Sequence, residues 1–124
     1  MKQIISTDNA PTAIGPYSQA VITGNLVFVS GQLPIDPATG VMSTKVVEQA
    51  RQSLDNVEAI LESVGSSLAK VVKVVIFMTD LSNFVSVNDV YSTFFSKDYP
   101  ARSTVQVAAL PKGAQIEIEA IAEL

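Results

Sequence analysis

The hydrophobic period changes several times along this chain, and each change marks an element. Ile4 and Ile5 suit a short edge strand. Ala10-Pro11 and Gly15-Pro16 mark turns, because proline pushes the preceding residue out of helical geometry. Residues 17–23 and 26–30 read as strands joined by the two-residue hairpin signal Gly24-Asn25. Residues 31–40 hold Pro34, Pro37 and two glycines and read as a loop. In residues 46–64, Val46, Val47, Ala50, Leu54, Val57, Leu61 and Val64 fall at helical spacing. Glu48, Arg51, Gln52, Asp55, Glu58 and Glu62 take the other side, and Gly65 is a suitable stop. Residues 71–79 are rich in β-branched side chains and read as a strand. Ser82 suits the N-cap of a second helix running to about residue 95, with Phe84, Val87, Val90, Tyr91, Phe94 and Phe95 as its apolar stripe. Residues 102–108 and 115–121 read as closing strands on either side of a Pro/Gly turn. The predicted order is β-β-β-α-β-α-β-β, an α+β domain over residues 1–124 with two helices on a mixed sheet.

Residues 26–29 and 71–78 are apolar at nearly every position rather than at alternate ones. Such strands are covered on both faces. Two helices cover only one face of a sheet this size. The other face is expected to meet a second copy of the chain, although the loop at 31–45 could cover part of it. The composition points the same way. Hydrophobic residues make up 48% of the chain and charged residues 16%, against about one-quarter charged in average soluble domains.

The net charge of −4 comes with no basic cluster, which argues against nucleic acid as a partner. No apolar run approaches the roughly 20 residues that span a bilayer, and the first residues lack a signal-peptide core. The expectation is a soluble, cytoplasmic protein without a membrane partner. There is no histidine, cysteine or tryptophan. A Ser-His-Asp triad, the usual zinc ligand set and thiol chemistry are therefore out of reach. No phosphate-binding glycine motif occurs either. Chemistry must come from arginine, carboxylate, hydroxyl and backbone groups.

The last two predicted strands carry such groups. Paired as a hairpin in the register that matches Val105 with Ile116, they place Arg102, Thr104, Glu117 and Glu119 on one face. Two readings fit that pattern. One is a cross-strand salt bridge on a wet face, which contributes little. The other is an anion site, in which the arginine fork holds a carboxylate and a glutamate orients or deprotonates a water. Three further segments carry candidates. Tyr17 follows the Gly15-Pro16 turn, Ser30-Gly31 ends a strand where a ligand could approach the backbone, and Asn88 sits on the second helix. An ordinary structural role suits each of these as well.

Four segments together resemble a known family. They are residues 13–19 (AIGPYSQ), 29–34 (VSGQLP), 100–105 (PARSTV) and 116–120 (IEIEA), with residues 49–57 between them. The chain resembles the Rid family, the reactive intermediate deaminases also called the YjgF or endoribonuclease L-PSP family, and most of all its RidA subgroup. The resemblance implies a chorismate-mutase-like homotrimer with sites in clefts between subunits. It implies hydrolysis of 2-imino acids to 2-oxo acids and ammonia, with no cofactor and no metal. By motif, Arg102 clamps the substrate carboxylate and Glu117 activates the water. Tyr17, Ser30, Gly31 and Asn88 line the pocket. Thr104 stands where many relatives have cysteine, leaving its backbone N–H as the binding group, and Ala109 stands where many have arginine. The rival expectations are a non-catalytic binder of small carboxylates in the same cleft, and a ribonuclease, which the acidic charge disfavours.

Overall fold

The computed structural model describes all 124 residues, Met1–Leu124. Its elements are β1 (Gln3–Ile5), β2 (Ala20–Thr23), β3 (Leu26–Gln32), α1 (Val46–Glu62), β4 (Val71–Met78), α2 (Phe84–Phe94), β5 (Ala101–Gln106) and β6 (Ile116–Glu123). The order is the predicted one. The strands form one sheet in the order β1-β2-β3-β6-β4-β5. Every neighbouring pair is antiparallel except β4 with β5, which α2 connects as a parallel crossover.

Local signals explain most boundaries. Gly24 adopts a positive φ in the β2–β3 turn, and Thr23 pairs with Leu26. Gly65 takes φ +80° after α1, and the Ser66 N–H donates to the Leu61 carbonyl at 3.0 Å. That six-to-one bond closes the helix as a left-handed C-terminal residue requires. The second helix departs from expectation. Ser82 is not its cap: Leu81–Asn83 form a separate 3-10 turn, and the Asp80 carboxylate accepts the Ser82 N–H at 2.9 Å. Asp80 caps that turn, and Asn83 occupies the N-cap position of α2 without a side-chain cap bond.

Both helices pack on one face of the sheet. Leu54, Val57, Ile60 and Leu61 of α1 and Val87, Val90 and Tyr91 of α2 join Val27, Val74, Ile76, Ile116 and Ile118 in one buried core. Each such aliphatic side chain contributes about 1.5–3 kcal/mol on full burial. The opposite face carries Leu26 and Phe28 of β3, Val75 and Phe77 of β4, Val105 of β5 and Ile121 of β6. Phe28 remains 40% exposed and Val105 42% exposed. Neither helix lies over this face; Leu33 and Ile35 of the 31–45 loop border it beside Glu117 and Glu119, while Phe28 and Val105 stay exposed.

The strand expectations need three corrections. Residues 17–19 are not strand, and β2 begins at Ala20. β3 continues through Ser30 and Gly31 to Gln32, with an irregular register between Val29 and Gln32. Most important, β5 and β6 do not form a hairpin, because β4 lies between them. A strand apolar on both faces is best satisfied inside the sheet, whereas β5, with Arg102, Ser103, Thr104 and Gln106, tolerates an edge. Val74 pairs with Arg102 and Ile76 with Thr104, while Phe77 pairs with both Val105 and Glu117. Arg102 and Thr104 therefore lie on the helix-covered face. Glu117 and Glu119 lie on the open face. The expectation that all four share a face is wrong within one chain.

Candidate functional site

The sheet divides the predicted site into two halves. The first surrounds Arg102. Its Nη1 donates to Asn88 Oδ1 at 2.8 Å. The guanidinium carbon stands 4.6 Å from the Tyr91 ring centroid and 5.6 Å from that of Phe84. Phe84, Asn88 and Tyr91 are spaced i, i+4, i+7 on α2, so one helix stripe delivers all three. No carboxylate pairs with Arg102: the only ion pair in the chain is Arg51–Glu48. The guanidinium opens on a polar cleft of about 380 Å³ lined by Asn88, Tyr91, Ser92, Tyr99 and Pro100. Thr104 lies two residues along the same face, and its buried hydroxyl has no hydrogen-bond partner. Val107 N–H donates to Met78 O at 2.8 Å. Alternation along the strand then turns the Thr104 N–H toward the free edge of the sheet.

The second half surrounds Glu117 on the open face. A cleft of about 640 Å³ brings together Tyr17, Ser30, Gly31, Lys112, Glu117 and Glu119. Gly31 has a reason to be glycine. A Cβ there would stand 2.8 Å from both Cδ and Oε1 of Glu117. The carboxylate thus lies close against bare backbone. Burial, and then the charge of Glu119, push the Glu117 pKa above the usual carboxylate range. Ser30 Oγ donates to the Ser18 carbonyl at 2.6 Å, and Tyr17 stands exposed at the cleft wall.

Buried amides hold the loops that shape this second half. Gln19 Oε1 accepts the Thr7 N–H at 2.6 Å, while its Nε2 donates to the Thr7, Ala10 and Pro11 carbonyls at 3.0, 3.3 and 2.8 Å. Asn56 of α1 donates to the carbonyls of Leu33 and Ile35 at 3.1 and 3.0 Å, fixing the chain as it leaves β3. Sequence reasoning assigned no role to either residue. The available signal was polarity at helical spacing: Gln49, Ser53 and Asn56 interrupt the buried stripe of α1. Asn56→Leu should cost about 1–3 kcal/mol of stability, since two part-buried carbonyls lose their donor. Urea denaturation would measure this as a lower midpoint at unchanged slope.

The sequence-predicted residues therefore fall into two sets. Arg102, Asn88 and Thr104 stand together, and so do Tyr17, Ser30, Gly31 and Glu117. Nowhere do three histidine, cysteine, aspartate or glutamate side chains converge as a metal ligand set would. No helix is long and apolar enough to cross a membrane.

Known proteins place this architecture. The Endoribonuclease L-PSP family model matches residues 7–124. A RutC family protein of Sinorhizobium fredii is 55% identical over 125 residues, covering 100% of this chain and 99% of its own. The 2-iminobutanoate/2-iminopropanoate deaminase of Escherichia coli is 51% identical over 125 residues, covering 98% of each. The crystal structure of Escherichia coli TdcF with bound serine matches with a TM-score of 0.95 at 50% identity, covering 98% of each chain. The α+β sheet with two helices is thus of the YjgF type, and the chain belongs to the Rid family, whose shared domain carries the endoribonuclease L-PSP name.

Proposed function

We propose that this protein is a 2-iminobutanoate/2-iminopropanoate deaminase whose site forms between copies of the chain. One observation carries the reading. An oriented, unpaired arginine and a desolvated glutamate lie on opposite faces of one sheet. A single chain cannot bring both to one small molecule, but the open face of one copy can receive the β5 edge of the next. Two different surfaces then meet, a head-to-tail contact that forms a ring where the rotation between copies closes. The exposed apolar face supplies the area for it, and three copies fit the family resemblance. The bacterial deaminase at 51% identity supports the activity, and TdcF binding serine supports a small carboxylate as ligand. A cytoplasmic location belongs to the same reading.

The geometry suits imine hydrolysis. The substrate carboxylate takes two parallel hydrogen bonds from Arg102, and the Thr104 N–H at the sheet edge adds a third. The iminium carbon is already electrophilic, so catalysis needs position and charge placement more than a nucleophile. Glu117 takes a proton from the attacking water as its oxygen bonds to C2. It returns that proton to the amino nitrogen. The C–N bond then breaks, and the departing ammonia takes the hydroxyl proton, leaving a 2-oxo acid and ammonium. A raised carboxylate pKa makes Glu117 a better base for this step than an ordinary surface glutamate.

Gly31→Ala tests the contact against Glu117. The flexible carboxylate can move aside, so the protein should fold normally. Turnover should fall about 10- to 100-fold, because a displacement near 1 Å at the reacting groups costs that much. The activity itself is tested by coupling a threonine dehydratase to the protein while semicarbazide competes for the imine. Faster 2-oxobutanoate release supports the deaminase. Binding of 2-oxobutanoate without any acceleration would favour the carboxylate-binding regulator. Ribonuclease activity has weak electrostatic support, since the net charge is −4 and no basic patch was found in the sequence.

A further inference from the structure

We propose that Tyr91 is a positioning residue: its ring is the platform that holds the Arg102 guanidinium flat, so that the outer edge of the fork is presented to an incoming carboxylate. The proposal rests on the deaminase reading for its consequence in catalysis, but its physical claim is independent of it. Three contacts define the cradle. Asn88 Oδ1 accepts from Nη1 at 2.8 Å, the Tyr91 ring lies 4.6 Å from the guanidinium carbon, and Phe84 lies 5.6 Å away on the same helix stripe. Asn88 thus acts on the arginine, and this is a more specific role than lining a pocket. One hydrogen bond fixes rotation in the guanidinium plane, and the stack fixes the plane itself.

The ring is itself anchored. Tyr91 is 5% exposed, and it packs against Phe95 with ring centroids 4.7 Å apart. Its hydroxyl is buried and has no hydrogen-bond partner. Burial raises the pKa of that hydroxyl, against the opposing charge of Arg102, so it stays neutral. The unpartnered hydroxyl leaves the π-face as the working part of the side chain. Arginine stacks on aromatic faces while keeping its edge donors free, and lysine cannot do both. A guanidinium without this support would sample several rotamers and lose entropy on each binding event.

The test compares Tyr91→Phe, which keeps the ring, with Tyr91→Leu, which removes it. Tyr91→Leu should raise KM for the imino acid and Kd for 2-oxobutanoate about tenfold, the size of a partly desolvated cation–π contact. kcat should change much less, and Tyr91→Phe should restore most of the binding. Nitrogen-detected NMR of the side-chain signals of Arg102 gives a readout that needs no activity. These signals should be ring-current shifted in the wild type and in Tyr91→Phe, and should move toward random-coil positions in Tyr91→Leu. Unshifted Arg102 signals in the wild type would overturn the proposal whatever the protein catalyses. Equal losses of binding in both variants would also overturn it, by pointing to the hydroxyl. If the NMR signature holds while the wild type neither turns over nor binds the acid, the deaminase reading fails and the platform stands.

Discussion

Arg102→Ala should lower kcat/KM for a 2-imino acid by about 100- to 10,000-fold, the equivalent of two charge-assisted hydrogen bonds to one carboxylate. The loss should be large because no other cation stands in the Arg102 cleft, and Lys112 of the Glu117 cleft offers a point charge rather than a planar fork. Arg51 is on α1, paired with Glu48, and the cleft around Arg102 holds no lysine. Stability should fall by only about 1–2 kcal/mol, since the variant loses the Asn88 hydrogen bond and the aromatic contacts but leaves no carboxylate unpaired. Arg102→Lys should recover only a small part of the activity. A lysine keeps the charge but loses the planar fork, the Asn88 contact geometry and the stack on Tyr91. Steady-state kinetics with the dehydratase-coupled assay measures both variants. Wild-type activity in Arg102→Ala would remove the arginine from the site.

Glu117→Gln should separate chemistry from binding. The amide keeps the shape of the carboxylate but accepts no proton, so kcat should fall about 100- to 10,000-fold. KM should hardly move, because the carboxylate clamp sits on another surface. The pH dependence follows from the raised pKa. Catalysis needs ionised Glu117, so the acid limb of kcat/KM should lie above the usual carboxylate range. Stability has the opposite sign. A carboxyl whose pKa is higher in the folded than in the unfolded state binds more protons when folded. Stability is then greatest below the unfolded value, and falls as pH rises through the window between the two. Glu117→Gln should therefore raise the melting temperature at neutral pH, and the gain should shrink as the pH falls through that same window and be absent below the ordinary glutamate value. A group that costs stability where it is needed for turnover is common at active sites.

The periodicities carried most of the fold. β4 and α1 were legible because their patterns are long and consistent: an eight-residue strand apolar at every position but Lys73, and a helical stripe starting at Val46. The doubly apolar strands also implied an uncovered face, and Phe28, Phe77, Val105 and Ile121 now mark where it is. Strand order was not legible. Adjacency in sequence suggested a β5–β6 hairpin, and sequential strands pair about two-thirds of the time. Here the demand of β4 for neighbours on both edges prevailed. The parity argument inside each strand was correct, so Arg102 and Thr104 do share a face, as do Glu117 and Glu119. Only the relation between the strands was misjudged. That single misplacement hid the most informative property of the site, its division between two faces. Tyr91 was hidden for a different reason. A tyrosine in an apolar stripe looks like core, and nothing local says that a guanidinium will lie on it.

The division of the site makes one measurement decisive. Arg102→Ala and Glu117→Gln subunits would be mixed in equal amounts, unfolded together, refolded and assayed. If each cleft takes its arginine from one copy and its glutamate from the next, some mixed assemblies regain an intact cleft. Random assortment into closed rings then restores about one quarter of wild-type activity. The account predicts that recovery, from two proteins that are each nearly inactive alone. Activity that stays at the low average of the two parents, in assemblies shown to contain both, would contradict it.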